Sequence, residues 1–162
     1  MSDNQSYNTE YVEILPPNNG GMTTRWYPAV GTDTLQLLEH LAIPKESKDS
    51  LRDEALRILS KCVPPASRSF TTDTGLVIGY VQSGKTMSFT TVAALARDNG
   101  YQLIIVITGV SELLFNQSAT RLQRDLRLDY RPDRKWQFFS NPSSRTTGHR
   151  TMADTLIDWH DS

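Results

Sequence analysis

The chain has 162 residues, 38% hydrophobic and 22% charged, with a formal net charge of -1, the usage of an ordinary globular domain. That balance excludes a histone-like mode of DNA binding through bulk charge, though not a local basic face. The lone Cys62 excludes an internal disulfide and a CxxC zinc site. His40, His149 and His160 stand far apart without ligand spacing, and no apolar run approaches the roughly 20 residues of a membrane span.

Residues 1–30 read as a loose arm, rich in Asn, Ser, Gly and Pro, with Pro16-Pro17-Asn18-Asn19-Gly20-Gly21 at its centre. It is expected to dock by Tyr11-Val12-Glu13-Ile14-Leu15 and by Trp26 and Tyr27. Its polar start lacks the basic and apolar parts of a signal peptide, so the cytoplasm is the expected location. Residues 31–66 read as a small helical lead-in. A first helix is expected from about Thr32 to Ala42, with Leu35, Leu38 and Leu41 at helical spacing. A second is expected from Ser50 as N-cap to Pro64-Pro65, with Leu51, Ala55, Ile58 and Cys62 on one face.

Residues 67–162 read as an α/β lobe with a parallel sheet. Leu76-Val77-Ile78 predicts a short strand. Lys85 to about Asp98 predicts a helix with Met87, Thr91, Ala94 and Leu95 inward, stopped at Asn99-Gly100. Leu103-Ile104-Ile105-Val106-Ile107 is a nearly unbroken apolar run, suited to a strand covered on both faces. Ser111 is expected to cap a further helix whose stripe is Phe115, Ala119, Leu122 and Leu126. The order strand, loop, helix, strand, helix is that of a right-handed βαβ unit. Arg127–Arg150 is polar and turn-rich, with Trp136 and Phe138-Phe139 as apolar islands.

Between the first expected strand and its helix lies Gly79-Tyr80-Val81-Gln82-Ser83-Gly84-Lys85-Thr86, which meets the G-x-x-x-x-G-K-[ST] phosphate-loop pattern in full. Glycines let successive backbone N–H groups face phosphate oxygens with no Cβ in the way. The helix beginning near Lys85 aims its unpaired N–H groups and positive end at the same anion. Gln82, Ser83, Gly84 and Lys85 would line the phosphates of ATP, with the Lys85 ammonium near the β- and γ-phosphates. The Thr86 hydroxyl would bind Mg²⁺. From average usage, a chain of this size meets the bare pattern by accident at roughly half a per cent. Its position, between an apolar run and an amphipathic helix, lowers that figure further.

The stretch Gly75–Thr90 resembles the opening of DEAD-like, superfamily-two helicase ATPases. Its Val-Gln-Ser-Gly-Lys-Thr variant is most similar to the Z-one-type endonuclease ATPases, relatives of the motor subunits of restriction and phage-defence systems. The resemblance covers about residues 68–126. It implies an incomplete RecA-like P-loop lobe binding ATP and Mg²⁺, with catalysis dependent on Lys85. It also implies a loop that touches a nucleic-acid backbone, DNA in the restriction-type relatives. Here that loop corresponds to Ile107-Thr108-Gly109-Val110-Ser111, followed by Gln117 and Arg121, so Thr108, Gly109, Gln117 and Arg121 are its candidate contacts. The family's acidic box is not found, because Met152, Leu156 and Trp159 place the decoy Leu156-Ile157-Asp158-Trp159-His160-Asp161 on a helix. No arginine-finger motif and no second lobe are present either. The expectation is an N-terminal fragment of a larger motor, inactive alone, that meets its missing remainder or a nuclease subunit as partner.

Arg121, Arg124, Arg127, Arg131, Arg134 and Lys135 cluster in sequence, interleaved with Asp125, Asp129 and Asp133. A DNA track and a solvated mixed-charge face both fit this pattern. Tyr80 and Phe89 are likewise open to two readings, stacking on adenine or packing between elements. Two functions of different class lead: the nucleotide-binding lobe of a nucleic-acid-dependent ATPase, and a non-catalytic nucleotide-binding partner subunit; a small P-loop kinase or phosphotransferase and a product without a stable fold stand behind them.

Overall fold

Thr90, Thr91, Ala94 and Leu95 are all buried at 0% exposure, and Ala93 and Ala96 nearly so. A helix apolar around so much of its circumference must be covered on several sides, and this one is the centre of the structure. The computed structural model describes residues 26–67, 72, 74–78, 85–108, 111–129, 136–142 and 150–155. Helices α1 (Thr32–His40), α2 (Lys45–Leu59), α3 (Lys85–Asp98) and α4 (Glu112–Asp125) follow in chain order. α3 packs most extensively against α2 and α1, and also meets α4.

Small side chains on α3 allow this close approach, and its two buried threonines are satisfied within the helix. Thr90 Oγ1 donates to Thr86 O at 2.7 Å, and Thr91 Oγ1 to Met87 O at 2.7 Å, the back-bonding by which a helix tolerates buried hydroxyls. Around α3 lie two apolar clusters. Leu37, Leu38, Leu41, Ala94, Leu122 and Leu126 form one, with Phe89 and Trp136 against it. Ala55, Leu59, Leu95 and Ala96 form the other, edged by Trp26, Tyr101 and Ile104.

The C-terminal end of α3 carries the main polar joint. Asp98 Oδ2 accepts from Gly31 N at 3.0 Å, Thr34 N at 2.9 Å and Thr34 Oγ1 at 2.6 Å, and Oδ1 accepts from Asp33 N at 2.9 Å. The residue before α1, Gly31, has no side-chain cap of its own. Asp98 therefore supplies the acceptor and the negative charge that α1's open amides need. A Cβ on Gly31 would stand 2.6 Å from Asp98 Oδ1, so glycine is required there by contact. Asn99 extends the joint, its amide accepting from Ala29 N at 2.8 Å and donating to Ala29 O at 2.9 Å.

Next comes Gly100 at φ +88, with Gly100 N bonded to Arg97 O at 3.1 Å and Tyr101 N to Ala96 O at 3.0 Å. This is a full Schellman motif, and the predicted Asn99-Gly100 stop is its cause. Beyond it, Tyr101 OH donates to Val63 O at 2.6 Å, and Trp26 Nε1 to Cys62 O at 2.8 Å. The two rings lie 6.5 Å apart, tilted by 44°. Trp26 thus docks as expected of the arm, whereas Tyr27 is 75% exposed.

The expected parallel sheet and RecA-like lobe are not the architecture: among the described residues no strand forms. Leu76, Val77 and Ile78 are non-helical and 73%, 56% and 72% exposed, while Ile105 and Ile107 reach 74% and 91%. An apolar run registers as a strand by composition alone, but a strand exists only where a second one completes its hydrogen bonds. The described part is helical instead. Smaller corrections follow from local chemistry. α2 begins at Lys45 after Pro44, not at Ser50, because Lys45–Asp49 are competent helix formers and Asp49 pairs with Arg52 at 2.9 Å. α1 buries Leu37, Leu38 and Leu41 and leaves Leu35 58% exposed. Ser111 precedes α4, but its side chain makes no capping bond.

Asp98→Ala removes the acceptor for these donors and is expected to cost about 2 kcal/mol, lowering Tm by about 5 °C, with Asp98→Asn milder. Unchanged thermal unfolding of the alanine variant would contradict this role. Burial raises the Tyr101 phenol above its ordinary 10.0, so the folded state favours the neutral form. That contribution is complete below the ordinary value and is lost as pH rises through the higher folded one. The Tm gap between wild type and Tyr101→Phe should therefore hold steady at neutral pH and narrow in strongly alkaline buffer. A gap independent of pH would count against it.

Candidate phosphate-binding site

α3 starts at Lys85, so Thr86 lies in its first turn. The first four N–H groups of any α-helix lack partners within it, and they sit at the positive end of its dipole. The body that holds this end in place is helical. α2 contributes through Glu54, whose Oε2 accepts from Ser88 Oγ at 3.2 Å. α4 is seated by Leu122 and Leu126, each only 6% exposed. Their seating brings the preceding residue, Arg121, to the start of α3, where Arg121 Nη1 donates to Thr86 Oγ1 at 3.5 Å.

Of the sequence-predicted residues, Gly79, Gln82, Ser83, Gly84 and the side chain of Lys85 lie outside the described residues, as do Gly109 and Tyr80. Thr108 is half-buried, and Gln117 and Arg121 are exposed one helical turn apart on α4. The pair brought together is Thr86 and Arg121, which sequence reasoning had placed in two separate sites. No local signal links them, because the contact depends on how α4 docks. Phe89 packs against the first apolar cluster, which favours packing over adenine stacking.

Of the two readings of the basic cluster, α4 favours the mixed-charge face. Arg124 is tied to Asp125, with Nη2 to Oδ1 at 2.7 Å, and Asp125 itself is buried at 4% exposure. Arg127 lies beyond the helix end at φ 54 and does not continue the row. Arg131, Arg134 and Lys135 lie outside the described residues.

A phosphate group fits this donor set: the amides of a helix's first turn, a hydroxyl and a guanidinium. Mg²⁺ fits it less fully. The Thr86 hydroxyl offers one oxygen, and that oxygen already accepts from a cation.

No family model, no curated protein and no solved structure matches the chain. Among the described residues no helix is long and apolar enough to cross a membrane.

Proposed function

We propose that this chain binds the phosphates of ATP, carried with Mg²⁺, through Gly79–Thr86, as the nucleotide-binding part of a helicase-like, nucleic-acid-dependent ATPase of restriction or phage-defence type. The observation that carries the nucleotide reading is the complete phosphate-loop pattern running directly into the first turn of α3. Lys85 neutralises the β- and γ-phosphates and the glycines open the backbone to them, while the Thr86 hydroxyl is the one oxygen of the loop that would hold the ion, once released from Arg121. The ion supplies charge neutralisation at the phosphates when bound. The motor part of the reading rests on the resemblance of residues 75–90 to helicase-type ATPases. In that setting Thr108, Gly109 and Gln117 follow a nucleic-acid backbone, with no base specificity and a strong dependence on salt. The acidic group that orients the attacking water is assigned to no residue of this chain.

A second reading, a nucleotide-binding subunit without catalysis, is favoured by the exposed apolar runs at 76–78 and 103–107. They offer a partner apolar surface.

Calorimetric titration of MgATP into the folded protein tests the nucleotide reading. Wild type should bind, and Lys85→Ala should weaken binding by about 10- to 100-fold, the worth of one charge-assisted contact. Absence of any binding heat with folded wild type would end the assignment. Turnover by the isolated chain, lost in Lys85→Ala, would overturn the expectation that it hydrolyses little alone.

A further inference from the structure

Asn99-Gly100 is a dipeptide of the type that loses ammonia most readily, by a reaction that needs no enzyme. The next residue's nitrogen attacks the asparagine side-chain amide, and glycine, with no Cβ, leaves that nitrogen open to approach. The Gly100 nitrogen gives up its proton and bonds to Asn99 Cγ, the Cγ–Nδ2 bond breaks, and ammonia leaves. Water then opens the cyclic imide at either carbonyl, giving aspartate or isoaspartate at 99. No oxidant or reductant takes part. Water is not what the fold withholds: Gly100 is exposed, Asn99 is half-buried, and an open groove beside Pro65 and Ala66 reaches both. The fold withholds the groups that must react. Asn99 Nδ2 donates to Leu95 O at 2.7 Å and to Ala29 O at 2.9 Å, and Oδ1 accepts from Ala29 N at 2.8 Å. The attacking nitrogen is engaged as well, Gly100 N donating to Arg97 O at 3.1 Å. Cyclisation must break these bonds, and the two to Ala29 belong to the joint that Asp98 closes onto Gly31, Asp33 and Thr34.

We propose that Asn99-Gly100 is a spontaneous deamidation site held shut by the Asp98 joint: the asparagine converts only when the joint opens and, once converted, keeps it from closing. An aspartate at 99 can only accept. Ala29 O and Leu95 O then lose their donor and face a carboxylate, beside the charge of Asp98 and at the negative end of α3. Isoaspartate also adds a methylene to the backbone inside the Schellman turn. The conversion runs one way, so it marks each molecule whose joint has opened. This inference stands apart from the nucleotide reading and uses none of its residues.

The test incubates wild type, Asp98→Ala and Gly31→Ala at mildly alkaline pH, in buffer and in urea concentrated enough to unfold them. Gly31→Ala sets a Cβ against the Asp98 carboxylate and so opens the joint by a different route. Conversion at Asn99 is followed by peptide mass mapping. The readout is each protein's rate in buffer relative to its rate in urea, which cancels any effect of the substitution on the chemistry itself. Wild type should convert about 100-fold or more slowly in buffer than in urea, and in each joint variant that ratio should rise by about 5- to 30-fold. Asn99→Asp, the product itself, should melt below wild type and exchange the amide hydrogens of Gly31, Asp33 and Thr34 faster. Where a joint variant does not fold in buffer, the wild-type ratio and Asn99→Asp decide. Wild type that converts as fast in buffer as in urea overturns the inference. Folded joint variants that keep the wild-type ratio do so too, by placing the protection in the local turn alone. An Asn99→Asp protein that melts and exchanges as wild type does overturns the claim that conversion holds the joint open.

Discussion

One carboxylate, that of Asp98, joins the end of the central helix to the beginning of the first. It stands at the C-terminal end of α3 and accepts from three backbone amides and one hydroxyl at the start of α1. An acid at the end of its own helix is poorly placed with respect to that helix's dipole, but here it serves the opposite pole of another. Gly31 is required by the same joint, and Asn99 and Gly100 follow it to turn the chain away. The sequence positions 29–34 and 98–101 are therefore a single structural unit, although they are far apart along the chain.

From that joint the rest of the packing follows. With α1 fixed to the end of α3, Leu37, Leu38 and Leu41 are brought over Ala94, and Leu122 and Leu126 of α4 complete the cluster. α2 closes the other side through Ala55 and Leu59 against Leu95 and Ala96. Small and large side chains alternate across these contacts, Ala94 of α3 meeting leucines of α1 and α4 and Leu95 and Ala96 meeting Ala55 and Leu59 of α2, so contact is close, and two threonines are buried without loss of hydrogen bonding. The two helices N-terminal to residues 79–84 thus supply much of the surface on which α3 rests.

Helices and their stops were largely legible in the residues, and pairing was not. α3 ends where Asn99-Gly100 says it should, and Leu122 and Leu126 point inward as their spacing implies. Trp26 docks as its isolated bulk suggests. The runs 76–78 and 103–107 misled, because high β-propensity describes what a segment would do beside a strand and does not provide that strand. Leu35 misled through near-equivalent spacing, since Leu37 and Leu38 compete for the same inward face. At the candidate site, the phosphate pattern is local and could be read directly, with most of its loop outside the described residues. The approach of Arg121 to Thr86 joins two helices distant in sequence, and nothing in either segment announces it. Nor does Asp98 announce its role, as an acid at a helix end is ordinarily just solvated.

The Asp98 joint has a mechanical consequence. A 14-residue helix is about 20 Å long and stiff over that length, and this one is clamped at the end far from residues 85–86. Its other end is held too, by the Ser88–Glu54 hydrogen bond to α2 and by Met87 and Phe89 against the first apolar cluster. α3 is thus a beam supported near both ends, so a load placed on its first turn is shared by α2 and the Leu37 cluster and is not taken up by bending of the helix.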